Sequence, residues 1–318
     1  LIRSQFNLKP EDIYLPTFPL FSLFGPALGM TAVIPDMDPT RPARVNPVKI
    51  IEAIVDHGVT TIFASPALLN RVGKFGQSRG IRLPSLHTVI SAGAPVSPSI
   101  IETFSIMLTN RAQIHTPYGA TEAMPVTSIA SKEILTKTLK MSEKGSGICV
   151  VRTIDPLTLR IIQISDMPIY KWHDNLMVPS GQIGEIVVKG ELVTQRYYDN
   201  PSADALGKIR DKNCFWHRMG DLGWMDVQGR IWFCGRKSHR VMMHAKTLYT
   251  IPCEAVFNNH PDVFRSALVG VGAIPEQKPV ICIELTETAN ESEQDRIREE
   301  LITLATTNPH TKDIITVG

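Results

Sequence analysis

The sequence has no pair of cysteines at metal or redox spacing. Its five cysteines, Cys149, Cys214, Cys234, Cys253 and Cys282, are odd in number and widely scattered. That argues against a disulfide framework or a structural zinc and fits a reducing compartment. Charge of one sign is not in excess: 33 Lys and Arg stand against 31 Asp and Glu, too even a balance for a nucleic-acid or anionic-membrane partner. No apolar run reaches the roughly 18 residues that would read as a transmembrane segment. A G-x-S-x-G turn is missing, so a nucleophile-elbow hydrolase has no support. The nine histidines show no metal-ligand spacing, and His115 and His217 read as satisfied structural residues. The opening "LIRSQFNLKPEDIYLPTFP" is not a secretory signal and has no initiator Met. It reads as the middle of something, and "NPHTKDIITVG" closes shortly after a helix. The expectation is a cytoplasmic protein and a fragment at both ends.

What is present is enough apolar residue, 43%, for a sizeable core. Residues 46–125 alternate helix and strand. "NPVKIIEAIVDHG" has Asn46 to cap a helix, Pro47 for its first position and Gly58 to close it. "VTTIFAS" (59–65) is a β-branched strand and "PALLNRVGKF" a second helix. "LHTVISAG" (86–93) is a strand, Ser97-Pro98 starts the helix "PSIIETFSIMLTN", and "AQIHTPYG" (112–119) is a third strand. Near-continuously apolar strands alternating with helices predict an α/β fold, with βαβ units and a parallel sheet covered on both faces. From about residue 150 the texture changes. "GEIVVKGELVTQRYY" (184–198) and "GRIWFCGRKSHRV" (229–241) predict a small antiparallel sheet or barrel. A mixed α/β segment follows, with a helix near "CEAVFNNHP", strands "RSALVGVG" and "PVICIEL", and a helix "ESEQDRIREELITLA". We expect three parts: 1–150, the parallel α/β region; 151–234, a β-rich subdomain; and 235–318, a small α+β lid, with the boundary at 235–238.

The polar punctuation sits where a ligand belongs. In open α/β sheets, ligands bind beyond the carboxyl ends of the strands. The strands here end in Ser65-Pro66, in "SAGAP" (91–95) and in "YGATEAMP" (118–125). Gly93 and its small neighbours permit close backbone approach to a flat ligand. Tyr118 offers an aromatic plate, or is an edge residue of the core. Thr121 and Glu122 supply a hydroxyl and a carboxylate, or a capped turn. "RMGDLGW" (218–224) places Asp221 between glycines, where it either takes a vicinal diol or caps a turn. "GRK" (235–237) brings Arg236, either a phosphate fork or a solvated linker charge. These residue types suit a nucleotide with magnesium. "GVG" at 270–272 is too weak for a dinucleotide loop.

The series "LPTFPLF", "SAGAP", "YGATEA", "GEIVVKG", "RMGDLG" and "GRKSHRV" resembles the core motifs of the adenylate-forming superfamily: acyl-CoA ligases, peptide-synthetase adenylation domains and luciferases. The stretches 15–43, "YGATEAMP" and "LYTIPCEAVFNNHP" resemble more narrowly the β-lactone synthetases of olefin biosynthesis. The resemblance implies a large adenylation domain with a smaller C-terminal lid, and ATP and Mg2+ as cofactors. It implies that Gly93, Ala94 and Pro95 line the adenine site and that Tyr118 stacks there, with Gly119 and Ala120 beside it. It further implies Thr121 on phosphate, Glu122 on magnesium, Asp221 on the ribose hydroxyls and Arg236 on ribose or phosphate. Lys237 and Ser238 become the hinge of the lid.

The chain also departs from the superfamily pattern. The phosphate loop with its Lys, expected before residue 1, and the late catalytic Lys, expected beyond residue 318, are not in these residues, so the 318 residues alone are expected to be inactive. Ser238 stands where many members have Asp. The Gly of the thiol-tunnel loop is replaced within "MHAKT" (243–247), which speaks against CoA use. The implied reaction is adenylation of a fatty 2-alkyl-3-hydroxy acid followed by closure to a β-lactone. A long-chain acyl-CoA ligase and a catalytically dead nucleotide-binding remnant are the alternatives. Other enzymes of an olefin-biosynthesis assembly are the implied partners. Phe18, Phe21 and Phe24 either line an acyl pocket or pack a core.

Overall fold

The computed structural model describes residues 1–244, 246–286, 293–314 and 316–317, the last two by their backbone only. Six strands form the first sheet: β1 (Ile13–Pro16), β2 (Thr31–Ala32), β3 (Thr61–Ala64), β4 (Thr88–Ser91), β5 (Gln113–Ala120) and β6 (Ala123–Ala130). Their order is β2-β1-β3-β4-β5-β6, and β1 to β5 pair in parallel. Register lines up Leu15 with Ile62, Ile62 with Val89, and Val89 with Ile114. Because side chains alternate along a strand, this row faces one side of the sheet. There it packs with Ile50, Ile54, Leu68, Val72, Ile101 and Phe104 of the crossover helices. The opposite row, Tyr14, Phe63 and Ile90, packs with Phe6, Leu8 and Met30. Both faces are covered, which is why β3 and β4 are buried at every residue.

The crossover helices are Pro47–Asp56, Pro66–Ser78 and Pro98–Ser105. Each starts on the same local device. Asn46, Ser65 and Ser97 accept from the amides of Val48, Leu68 and Ile100, and each helix opens on proline, whose missing N–H would be unpaired there in any case. Removing such a cap costs about 1 kcal/mol. The first helix ends at Asp56 with His57 as its C-cap, and Gly58, at φ +60, follows in the left-handed conformation and closes it as expected.

The chain divides into two compact units: Leu1–Gly119 with Pro125–Lys137, and Ala120–Met124 with Thr138–Gly318. The second unit carries an antiparallel sheet of β7 (Ile148–Val151), β8 (Thr158–Ile162), β9 (Gly184–Lys189), β10 (Lys208–Asp211), β11 (Cys214–Met225) and β12 (Ile231–Arg236). Its order is β7-β12-β11-β9-β8, with β10 beside β11. The expected strand at 184–198 stops at Lys189, and that at 229–241 breaks after Arg236 into a short 3-10 turn, Lys237–His239. Beyond it lie β13 (Val241–Met243), β14 (Lys246–Leu248), β15 (Val263–Val271), β16 (Lys278–Leu285) and β17 (Thr316–Val317). Helices Thr250–Phe257 and Gln294–Thr307 accompany them. This last part has a core of its own, with Val241, Phe257, Leu268, Ile281 and Leu301. The expected start of the final helix at 291 lies outside the described residues. Among the described residues, no helix is long and apolar enough to cross a membrane.

Candidate active site

In the first unit, parallel pairing of β4 with β5, Ile90 opposite His115, brings the two strand ends out side by side. Gly93, Ala94 and Pro95 therefore emerge next to Tyr118 at the carboxyl edge. Gly93 has φ +95, a conformation that favours glycine, and a Cβ built there meets nothing within 4 Å. All three residues of this loop are exposed, whereas Tyr118 is half-buried. Phe18, Phe21 and Phe24 lie beyond the carboxyl end of β1. Phe21 stacks on Phe63 at 4.2 Å between ring centroids, Phe18 meets both edge-on, and Phe24 lies 5.3 Å from Phe21. Phe18 and Phe21 pack with the Tyr14–Phe63–Ile90 cluster, as does Ala92, the residue before Gly93. Two of the phenylalanines and the residue that precedes the open loop thus share one cluster.

"YGATE" is a hairpin, not a loop. β5 runs to Ala120, β6 begins at Ala123, and Thr121 and Glu122 are the two-residue turn between neighbouring strands. Thr121 is exposed and Glu122 half-buried.

The second unit holds this turn in a polar setting. The Tyr197 hydroxyl donates to Glu122 Oε1 at 2.8 Å, and the Thr194 amide donates to the Glu122 carbonyl at 2.9 Å. Buried Lys208 donates from Nζ to the Thr194 carbonyl and hydroxyl and lies 5.5 Å from the Tyr197 ring centre. His217 takes the edge of the same ring at 6.5 Å and bonds the Gly207 carbonyl through Nδ1. Burial alone raises the Glu122 pKa. The Tyr197 hydrogen bond, its own amide and the charges of His217 and Lys208 outweigh that, so the carboxyl titrates below its ordinary value. Burial and the bond to Glu122 push Tyr197 up to about 12. Burial, then Lys208, draws His217 down to about 4. Burial also lowers Lys208.

Further along, β11 departs from its pairing with β9 between Arg218 and Leu222. Gly220, at φ +68, turns the backbone there. The irregularity presents Asp221 directly opposite Arg236 on β12. Asp221 is buried, Arg236 is half exposed, and Nη1 stands 2.9 Å from Oδ1. The same Nη1 donates to the Met219 carbonyl at 3.2 Å. Lys237 turns away from this pair: its Nζ donates to Glu185 Oε1 and to the Ser165 carbonyl. Glu185 is also bound by Arg218, both ends of the guanidinium meeting the carboxylate at 3.1 and 2.7 Å. Ser238 is exposed. Ala245, within the stretch 243–247, lies outside the described residues.

Glu122, Asp221, Arg236 and Lys237 fall in the second unit, and Gly93, Ala94, Pro95, Tyr118, Gly119 and the three phenylalanines in the first. Ala120 and Thr121 belong with Glu122. Tyr197, Lys208, Glu185 and Arg218 escaped sequence reasoning. Glu185 and Arg218 lie within "GEIVVKG" and "RMGDLG" and Tyr197 and Lys208 between them, but each acts through pairing that sequence does not display. Among the described residues, no three His, Cys, Asp or Glu side chains assemble a metal centre. One carboxylate held ionised still suits magnesium, which is commonly bound by one or two carboxylates together with substrate phosphates and water.

Solved structures share this architecture. The amide bond synthetase of Marinactinospora thermotolerans matches with a TM-score of 0.77 at 21% identity, over 98% of this chain and 59% of that one. o-Succinylbenzoate coenzyme A synthetase from Bacillus subtilis, solved in complex with ATP and magnesium ion, matches with a TM-score of 0.73 at 20% identity, over 99% and 59%. The fold is that of adenylate-forming enzymes. Residues 2–198 match the family model of AMP-binding enzymes, and the chain belongs to that family. Among characterised relatives, the olefin β-lactone synthetase of Xanthomonas campestris pv. campestris is 43% identical over 99% of this chain and 56% of its own length. That of Stenotrophomonas maltophilia is 46% identical over 92% and 53%. The chain spans about half the length of these relatives.

Proposed function

We propose that the full-length protein uses ATP to activate a 2-alkyl-3-hydroxy fatty acid as its acyl-adenylate and then closes it to a β-lactone. What carries this reading is likeness over 99% of the chain to an olefin β-lactone synthetase. The chain's polar residues suit the first half-reaction. The substrate carboxylate attacks the α-phosphorus of ATP, a P–O bond forms, and pyrophosphate leaves. Gly93, Ala94, Pro95 and Tyr118 receive adenine, with Gly119 and Ala120 beside them. Asp221 accepts from the ribose hydroxyls. Thr121 and Arg236 meet phosphate or ribose. Glu122 holds magnesium, which supplies charge neutralisation to the phosphates when bound. Phosphoryl transfer rests on such positioning and charge stabilisation.

In the second half-reaction the substrate's own 3-hydroxyl oxygen attacks the acyl carbon, loses its proton, and AMP leaves. Intramolecular attack brings a high effective concentration, which offsets part of the strain of a four-membered ring. No acceptor such as CoA is consumed, in keeping with the altered thiol-tunnel loop. Phe18, Phe21 and Phe24 wall the acyl pocket. Lys237 and Ser238 form the hinge of a lid beginning at residue 235. The partners in this reading are the small-molecule acid and neighbouring enzymes of olefin biosynthesis, and its place is the cytoplasm. ATP–pyrophosphate exchange by the full-length protein tests the first half. Exchange that requires the 3-hydroxy acid but not CoA is expected; exchange indifferent to the acid contradicts the reading.

A further inference from the structure

We propose that Tyr197 is the positioning residue for the cation site: its hydroxyl ties Oε1 of Glu122, so that the cation is met by a carboxylate of fixed orientation. This inference rests on the reading of Glu122 as the magnesium-facing residue.

Glu122 occupies a two-residue turn between β5 and β6. Such a turn fixes the backbone but leaves a glutamate side chain several rotamers. Magnesium demands near-ideal octahedral geometry, and ligating carboxylates are usually oriented by hydrogen bonds from neighbouring groups. One short segment, 194–197, supplies two restraints here. The Thr194 amide holds the Glu122 carbonyl at 2.9 Å, and the Tyr197 hydroxyl holds Oε1 at 2.8 Å. Backbone and side chain of the same residue are thereby fixed from one place.

That segment is itself anchored. The Tyr197 amide donates to Asp204 Oδ1 at 2.8 Å, at the start of the helix Pro201–Gly207. Lys208 binds both the carbonyl and the hydroxyl of Thr194, and the Val193 amide donates to the Gly190 carbonyl at 3.1 Å. The next residue, Tyr198, is 99% exposed. Of two adjacent tyrosines, one is turned inward onto the carboxylate and the other into solvent, so the inward position is specific.

The test uses the full-length protein with Tyr197→Phe, which removes one oxygen. Mn2+ binding to the protein with a non-hydrolysable ATP analogue is read by electron paramagnetic resonance, beside nucleotide binding without metal. Mn2+ affinity is expected to fall roughly tenfold, the worth of one hydrogen bond to a charged group. Metal-free nucleotide affinity stays unchanged, and adenylation recovers at saturating Mg2+. Glu122→Ala separates the two claims. If it leaves Mn2+ affinity intact, the magnesium reading of Glu122 fails. If it weakens Mn2+ binding and Tyr197→Phe does not, the role of Tyr197 alone fails. In the Glu122→Ala background, Tyr197→Phe should add nothing, and an additive loss would overturn the proposal. The cycle holds even where Tyr197→Phe lowers the melting temperature, because every arm is read on folded protein well below it.

Discussion

Asp221 and Arg236 face each other across β11 and β12, a buried carboxylate 2.9 Å from a half-exposed guanidinium. The carboxylate is fixed by the strand irregularity, and the cation keeps contact with solvent. If Asp221 accepts from the ribose hydroxyls, Asp221→Ala in the full-length protein removes charge-assisted hydrogen bonds worth about 1.5–3 kcal/mol each. ATP affinity should fall at least about tenfold. Wild type should discriminate against 2′-deoxy-ATP, and the variant should lose most of that discrimination. Equal discrimination by the two proteins would remove Asp221 from the ribose.

The Arg218–Glu185 pair is a matter of stability. Both side chains are buried, and Arg218 also donates to the carbonyls of Ser165, Met167 and Leu206. Breaking a buried pair leaves one charge uncompensated, at about 3–5 kcal/mol. Arg218→Met should therefore lower the denaturant midpoint severely. Lys237→Met should cost far less, because Arg218 still neutralises Glu185. Equal losses would contradict the assignment of Arg218 as the principal partner.

His217 links this region to pH. Its pKa falls from 6.5 to about 4, by burial first and by Lys208 second. A base depressed on folding binds fewer protons folded than unfolded. Its neutral form is compatible with folding above pH 6.5, and stability is lost as pH falls from 6.5 toward 4, by roughly 3 kcal/mol over the whole window. Urea unfolding at pH 7.5 and pH 5.0 should show His217→Gln losing about 2 kcal/mol less than wild type on acidification. Identical losses would show that His217 is not the group responsible.

The stacked pair Phe21 and Phe63 separates packing from selectivity. Phe63 is buried and Phe21 only partly so. Phe63→Ala should cost about 3–5 kcal/mol as a cavity. Phe21→Ala should cost less and shift kcat/KM toward bulkier or longer 3-hydroxy acids. An unchanged ratio between two chain lengths would reduce the phenylalanines to core packing.

Much of the parallel sheet was legible because its signals are local. Asn46-Pro47, Ser65-Pro66 and Ser97-Pro98 each mark a helix start within two residues, and the runs at 59–65 and 86–93 contain the strands Thr61–Ala64 and Thr88–Ser91. The carboxyl-edge residues Gly93 and Tyr118 followed from that alternation. The hairpin at Thr121-Glu122 was not legible, since "YGATEAMP" has turn residues but no periodicity announcing β6. The Glu185–Arg218 pairing, 33 residues apart in sequence, exists only once β9 and β11 are aligned. Tyr197 was read as part of a strand that ends eight residues earlier at Lys189. Its meeting with Glu122, 75 residues away, leaves no trace in local composition.

The most direct measurement is mass spectrometry of the products formed by the full-length protein from ATP and a 2-alkyl-3-hydroxy acid, with and without CoA. The expected result is a β-lactone with AMP and pyrophosphate, formed at the same rate whether or not CoA is present. An acyl-CoA thioester appearing at a rate comparable to or faster than the lactone would contradict it and place the chemistry with the acyl-CoA ligases.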